Sequence, residues 1–110
     1  MAELNEISPE TVHRWVDDGE ALLVDVREAI EVASSRLAKA IHMPMSAFDA
    51  ERIPVESGKK VVFVCAHGMR SEQVRRYVVD QGVLTEAYNL SGGLAAWVEA
   101  GLPLETGPLS

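Results

Sequence analysis

A single cysteine, Cys65, lies in a short polar segment whose residue types and spacing favour chemistry at sulfur. Cys65 directly follows the apolar run 61–64, and Ser71 begins a helical pattern, so a five-residue turn centred on Gly68 joins a predicted strand to a predicted helix. A turn this tight directs successive backbone N–H groups inward and forms a concave anion site, to which the following helix adds the positive end of its dipole. Arg70 adds a full positive charge, and the Ser71 hydroxyl is placed to cap the helix.

A thiol at the base of such a site is acidified, because helix N-termini and nearby cations lower cysteine pKa values to about 3.5–7.5 from about 8.5. The thiolate is the nucleophilic form, and the same N–H groups would hold a negatively charged product on the sulfur, such as a persulfide. We therefore predict Cys65 as the catalytic residue. The predicted substrate-binding and persulfide loop consists of Ala66, His67, Gly68, Met69, Arg70 and Ser71.

Two of these assignments have alternatives. A cysteine at the end of an apolar strand is often an inert core residue, but a packing cysteine needs neither Gly68 nor Arg70 nor a helix start at Ser71. His67 is interpreted either as a proton donor or specificity residue or as an exposed loop histidine. Met69 is interpreted as an apolar wall at the mouth of the loop.

Strands and helices that alternate along the chain position this loop. Strands are predicted over 21–26, 40–43, 61–64 and 86–90. Helices are predicted from the N-cap Ser8 to Gly19, over 28–34, over 71–81 and through Leu94, Trp97 and Val98, with a helical turn over 46–50. The wholly apolar 61–64 is typical of a strand that is buried on both faces. This alternation indicates an α/β fold with a mainly parallel sheet and right-handed crossovers.

The helix predicted over 71–81 places Val74, Tyr77 and Val78 on one apolar face. Arg75 and Arg76 are predicted to lie away from that face, with Glu72 and Arg76 spaced for an exposed ion pair. Apolar stripes on the first and last helices predict that Trp15 and Trp97 belong to the core.

A second polar cluster, residues 25–28, follows the predicted strand 21–26. Ligands of parallel sheets bind beyond the carboxyl ends of the strands, so this cluster is expected beside the Cys65 loop. Asp25 and Arg27 are interpreted either as residues that orient the site or as a structural ion pair that braces a loop. The pair Gly92-Gly93 lacks the remaining residues of a phosphate-binding loop and predicts a tight strand-to-helix turn.

The 110 residues suit one domain over 1–110, with a core over about 7–104 and a loose tail over 105–110. Ten basic and 17 acidic residues give a net charge of −7, which disfavours nucleic acids and anionic membranes as partners. The apolar runs are too short to span a bilayer and the acidic N-terminus lacks a signal core, so we expect a cytoplasmic protein. One cysteine and three dispersed histidines predict neither an internal disulfide nor a metal site.

Three segments in this order and spacing resemble the single-domain rhodanese (thiosulfate sulfurtransferase-like) family. Residues 25–28 resemble its first signature, 65–71 its active-site loop, and 90–97 with 100–103 its C-terminal signature. The resemblance extends from about Ile7 to Leu104. It implies the rhodanese α/β fold, in which helices flank a mainly parallel central sheet of about five strands.

The resemblance also implies a double-displacement reaction without a metal or organic cofactor. Cys65 would attack the outer sulfur of thiosulfate or another sulfane donor, release sulfite and carry a persulfide. A thiophilic acceptor, such as cyanide, a cellular thiol or a protein, would then remove the sulfur. Arg70 would bind the anionic donor and the leaving sulfite, and the backbone of 66–70 would cradle the persulfide.

Two other functions stay open. The domain is also compatible with a sulfur-relay or regulatory docking module that has little turnover of its own. Cysteine phosphatases and arsenate reductases use a similar loop, but they place arginine six residues after cysteine, whereas Arg70 is five residues after Cys65. The smaller ring suits one sulfur atom better than a phosphoryl group.

Residues 35–40 depart from the family pattern Gly-His-Ile-x-Gly-Ala, because both glycines and the histidine are absent. If Lys39 has a positive φ, its backbone is strained where glycine would not be. Arg36 and Lys39 are interpreted either as positive charges near the site mouth or as solvated surface residues.

Overall fold

Strands and helices alternate along the chain in the computed structural model, which describes residues 5–55 and 58–107. The elements are β1 (Glu6–Ile7), α1 (Pro9–Asp17), β2 (Ala21–Asp25), α2 (Ala29–Ser34), β3 (Ser35–Arg36), β4 (Ile41–His42), β5 (Lys60–Val64), α3 (Met69–Asp80), β6 (Tyr88–Leu90), α4 (Gly93–Glu99) and β7 (Glu105–Thr106). Two single turns of 3-10 helix, Met45–Ala47 and Ala50–Arg52, follow β4. Most of these elements match the predicted ones in type and differ at their ends by a few residues.

The central sheet contains five parallel strands in the spatial order β1-β6-β5-β2-β4. The predicted α/β fold with a parallel sheet of about five strands is confirmed. Strand β5 lies in the middle, and its register with β2 places Asp25 beside Val64. Cys65 therefore leaves the sheet at the centre of its carboxyl edge, next to the end of β2.

The two faces of the sheet carry separate hydrophobic cores. Because side chains alternate along a strand, Val61 and Phe63 pack on one face with α3, and Val62 and Val64 pack on the other. Cys65 continues the alternation toward α3. The first core includes Val24, Val26, Met43, Val61, Phe63, Cys65, Val74 and Val78. The second includes Val12, Leu23, Leu37, Val62, Val64, Leu90, Leu94 and Trp97. The α3 helix thus covers the side of the sheet on which the thiol lies.

The two tryptophans have different environments. Trp97 is buried as predicted, and its indole N–H donates to the Pro103 carbonyl at 2.8 Å. Trp15 is half-buried and packs against the edge of the second core. Its ring meets that of Tyr88 edge-on at 5.3 Å, and the Lys60 ammonium lies 5.2 Å from the ring centre.

Helix α3 begins at Met69, two residues before the predicted start at Ser71. Gly68 ends the loop with φ +97°, a conformation that favours glycine and lets the helix begin at once. The predicted pair of Glu72 and Arg76 is present at 3.0 Å. Arg75 was predicted to face away from the core, but it is largely buried. Its guanidinium pairs with Glu72 at 2.6 Å.

A second, two-stranded antiparallel sheet joins β3 to β7. Its strand Glu105–Thr106 begins the segment predicted as a loose tail, and residues 108–110 of that tail lie outside the described residues. Arg36 is neither a solvated residue nor a charge at the site mouth, because it donates to the Val32 and Gly107 carbonyls and pairs with Glu105. Lys39 does have a positive φ, at +68°, as the missing glycine predicts.

Candidate active site

The sulfur of Cys65 is surrounded by hydrogen-bond donors. The backbone N–H groups of Gly68 and Ser71 lie 3.1 and 3.3 Å from Sγ, and the Ser71 hydroxyl lies 3.2 Å away. Burial, which leaves the residue 1% exposed, raises the pKa of this thiol, but the hydrogen bonds from Ser71, Gly68 and the His67 amide outweigh burial and lower the pKa below its ordinary value. This environment favours the thiolate although the residue belongs to the core.

The first turn of α4 binds the backbone of the Cys65 loop on the side away from the sulfur. The N–H groups of Leu94 and Ala95 donate to the Cys65 and Ala66 carbonyls at 2.9 and 3.0 Å. In a planar trans peptide, C=O and N–H point in opposite directions. The amides that follow these carbonyls, those of Ala66 and His67, therefore face away from α4, and the His67 amide bonds to the sulfur.

Glycine is required where α4 meets the loop. A β-carbon on Gly93 would lie 2.6 Å from the Cys65 carbonyl oxygen and 2.7 Å from the Ala66 carbonyl. A β-carbon on Gly68 would lie 3.3 Å from the Gly92 nitrogen, and φ at Gly68 is +97°. The predicted tight turn at Gly92-Gly93 is present, and it also allows α4 to dock on the loop backbone.

Ser71 does not cap α3 through its side chain, because Gly68 occupies the N-cap position and Ser71 lies inside the first turn. Its hydroxyl has one proton to donate, and two acceptors share it: Sγ at 3.2 Å and the Asn89 side-chain oxygen at 2.5 Å. The Asn89 amide nitrogen donates to the Gly68 carbonyl at 3.0 Å and to the Glu6 carboxylate at 3.0 and 3.1 Å. These acceptors fix the side-chain amide of Asn89 so that its oxygen faces Ser71.

Sequence reasoning missed Asn89 and Glu6. Asn89 is 1% exposed and lies in β6, which pairs with both β5 and β1. An amide inside an otherwise apolar strand such as 88–90 is a usable signal, because a buried polar side chain needs partners. Glu6 gave no such signal, because β1 has only two residues.

Arg70 is held by an acidic side chain from α2. Its two terminal nitrogens donate to the two Glu31 oxygens, each at 2.9 Å. These hydrogen bonds lower the pKa of Glu31 to about 2 and raise the pKa of Arg70. The predicted donor-binding residue therefore lies within electrostatic reach of the Cys65 thiol but is paired with a carboxylate.

Asp25 and Arg27 form a buried ion pair at 2.8 Å. The backbone N–H and the guanidinium of Arg27 both donate to the Asp25 carboxylate, and the guanidinium also reaches the Ser35 carbonyl at 2.8 Å. His42 bonds to the Arg27 carbonyl at 2.8 Å. These contacts brace the chain between β2 and β4, which matches the structural interpretation. Asp25 also interacts electrostatically with Arg70, and Arg27 with Glu31.

The remaining loop residues form the rim of the site. His67 is exposed, and with Ala66 it lines a shallow depression that Leu94, Ala95 and Val98 complete. Met69 is 76% exposed and presents an apolar side chain beside Arg70. Across residues 5–55 and 58–107, no group of three or more His, Cys, Asp or Glu side chains is arranged to hold a metal ion. No helix within the described ranges is long and apolar enough to cross a membrane.

The model of the rhodanese-like domain family matches residues 8–100 of the chain. The chain belongs to the rhodanese-like domain family. It is 34% identical over 102 residues to a sulfurtransferase of Allochromatium vinosum, covering 92% of this chain and 94% of that relative. It is 29% identical over 102 residues to the thiosulfate sulfurtransferase GlpE of Glaesserella parasuis, covering 93% of this chain and 94% of that relative.

A solved structure has the same fold. The rhodanese-related protein of Thermoplasma volcanium superposes with a TM-score of 0.74 at 25% identity, covering 92% of this chain and 97% of that one. The five-stranded parallel sheet with flanking helices is therefore the rhodanese fold that the three sequence segments implied.

Proposed function

We propose that the protein is a sulfurtransferase that carries sulfur as a persulfide on Cys65. The convergence of the Gly68 and Ser71 amides and the Ser71 hydroxyl on one buried sulfur is the observation that supports this proposal best. Family membership and relatives named as sulfurtransferases support the same reaction class.

In the first half-reaction, the Cys65 thiolate attacks the outer sulfur of thiosulfate or a related sulfane donor. A bond forms between Sγ and that sulfur, the S–S bond of thiosulfate breaks, and sulfite leaves with the electron pair. The loop then carries a persulfide anion, which backbone N–H donors stabilise as they stabilise a thiolate. In this proposal, Arg70 binds the anionic donor and the leaving sulfite.

In the second half-reaction, a thiophilic acceptor attacks the outer sulfur and the Cys65 thiolate leaves. Cyanide, a low-molecular-weight thiol or a protein thiol can each serve as acceptor, and the chemistry needs no metal or organic cofactor. The single free thiol suits a reducing compartment such as the cytoplasm.

Intact-protein mass spectrometry after thiosulfate treatment tests this proposal. We expect the wild type to gain one sulfur atom and to lose it again on addition of cyanide. The Cys65→Ser variant should stay folded and gain nothing, because a serine hydroxyl is not ionised at neutral pH. Sulfur uptake by this variant, or the absence of uptake by the wild type, would contradict the proposal.

A second measurement separates a free-standing enzyme from a sulfur-relay module. An enzyme turns over repeatedly with thiosulfate and cyanide, whereas a relay module forms the persulfide but releases it efficiently only to a specific protein acceptor. We expect repeated turnover, and persulfide formation without turnover would favour the relay.

A further inference from the structure

The pairing of Arg70 with Glu31 has a consequence for the choice of sulfur donor. The carboxylate faces the end of the guanidinium with two 2.9 Å hydrogen bonds, and such bidentate pairs are stronger than single ones. The backbone N–H of Glu28 donates to the same carboxylate at 2.8 Å and fixes its position. The Arg70 and Glu31 side chains are 36% and 32% exposed, so solvent and a donor can reach the pair, and Arg70 lies within electrostatic reach of Cys65.

The charges around this mouth do not favour a dianion. The guanidinium of Arg70 interacts with the charges of Asp25, Glu28 and Glu31, and Arg27 is paired with Asp25. Three carboxylates against two guanidinium groups leave one net negative charge. Glu28 is bonded to the Ser46 backbone N–H and hydroxyl. The sequence suggests that Arg70 is a free positive charge, but neighbouring carboxylates neutralise it in the folded protein.

The pair does not dissociate by protonation near neutral pH. The hydrogen bonds from Arg70 hold the pKa of Glu31 at about 2, so the carboxylate is ionised throughout the range in which the thiolate reacts. A dianionic donor must either displace Glu31 from Arg70 or bind beside it through the remaining N–H groups. A donor of lower charge depends less on the guanidinium, so the pair hinders its binding less.

We infer that Glu31 is a specificity-determining residue, which holds Arg70 and so favours persulfides of thiols over dianionic thiosulfate as sulfur donors. This inference rests on the proposed function. With a persulfide donor, the Cys65 thiolate attacks the outer sulfur, the S–S bond of the donor breaks, and the donor thiol leaves as its thiolate. The proton of the outer sulfur stays on the new Cys65 persulfide, so the step is balanced without a further reagent.

The test compares the first half-reaction of the wild type and Glu31→Gln with two donors, thiosulfate and the persulfide of 2-mercaptoethanol. Rapid-quench mass spectrometry of Cys65 persulfide formation gives an apparent Kd and a maximal rate for each. We expect Glu31→Gln to lower the Kd for thiosulfate up to about fivefold at low ionic strength, because it frees one partly exposed charge. Its maximal rate and its Kd for the persulfide should stay within about twofold.

A matched variant controls for net charge. Glu105→Gln removes the same charge from an ion pair with Arg36, whose nearest atoms are 3.8 Å apart and whose carboxylate is 59% exposed. It should leave both donors unchanged. Glutamine at position 31 can still bond to the Glu28 N–H, so α2 should remain capped. If Glu31→Gln does not fold, Glu31→Asp replaces it, because the shorter side chain cannot keep both bonds to Arg70 and should lower the thiosulfate Kd in the same direction.

The Arg70→Ala variant completes a double-mutant cycle with Glu31→Gln. Without the guanidinium, the Kd for thiosulfate should rise, and adding Glu31→Gln should then lower it by less than in the wild type, because only the repulsion by the carboxylate remains to be removed. An unchanged thiosulfate Kd in a folded, reactive Glu31→Gln variant would overturn the role of Glu31 and leave the proposed function intact. Failure of the wild type to form a persulfide with either donor would instead overturn the proposed function itself, and the inference with it.

Discussion

Replacement of Gly93 with alanine tests whether the start of α4 shapes the Cys65 loop. The added carbon would lie 2.6 Å from the Cys65 carbonyl oxygen and 2.7 Å from the Ala66 carbonyl, distances that side-chain carbons essentially never reach. Helix and loop must therefore separate. The N–H groups of Leu94 and Ala95 would lose their acceptors, and the peptide planes that turn loop amides toward the sulfur would be free to rotate.

The expected magnitude follows from two terms. Gly93 has φ +65°, and an alanine in the left-handed region costs about 1–2 kcal/mol. Forcing a carbon into a filled space costs a further ~1–3 kcal/mol. We expect Gly93→Ala to lower the free energy of unfolding by about 2–5 kcal/mol. Gly101→Ala is the matched control, because Gly101 has φ +75° and nothing lies within 4 Å of an added β-carbon, so only the first term of about 1–2 kcal/mol applies.

Two assays separate these variants. Urea unfolding gives the loss of stability, and the rate of Cys65 alkylation by iodoacetamide as a function of pH gives the pKa of the thiol. Gly93→Ala should shift the alkylation midpoint to higher pH, because fewer amides stabilise the thiolate, whereas Gly101→Ala should keep the wild-type midpoint. Equal losses of stability in the two variants, together with unchanged midpoints, would refute the role assigned to α4.

Two further predictions concern single residues. Ser71→Ala should raise the pKa of Cys65, because it removes a hydroxyl that bonds to the charged form. Alkylation at neutral pH should therefore slow, and its midpoint should move to higher pH. The control Ser8→Ala, at the start of α1, should leave the midpoint unchanged. Lys39→Gly should raise the free energy of unfolding by about 0.5–1 kcal/mol in urea, because relief of the positive φ exceeds the added flexibility of glycine in the unfolded chain. A destabilised Lys39→Gly variant would show that the lysine side chain contributes contacts that outweigh the strain.

The position of the loop could be predicted from the sequence because its signals are local. The wholly apolar run 61–64 indicates a buried strand, and Gly68 three residues beyond Cys65 indicates a sharp turn before a helix. The start of α3 was misplaced because Gly68 adopts a left-handed conformation and lets the helix begin at Met69. That shift of two residues moves Ser71 from a cap to a partner of the sulfur.

The partners of the loop could not be predicted because they come from distant parts of the chain. Glu31 is 39 residues from Arg70, and Asn89 is 18 residues from Ser71. Their contacts depend on how α2 and β6 pack around the end of β5, which no local pattern records. The ladder between β3 and β7 was missed for a similar reason, because two-residue strands carry no periodicity.

In the proposed reaction, the depth of the thiol makes loading and unloading of sulfur sterically unequal. Only 1% of Cys65 is exposed, so a donor must present its sulfur on a slim terminal group to reach the thiol. Once that atom is transferred, the electrophilic sulfur stands about 2 Å farther along the same path. The recipient therefore meets its target nearer the rim, where a broad molecule, even a folded protein, has room to approach.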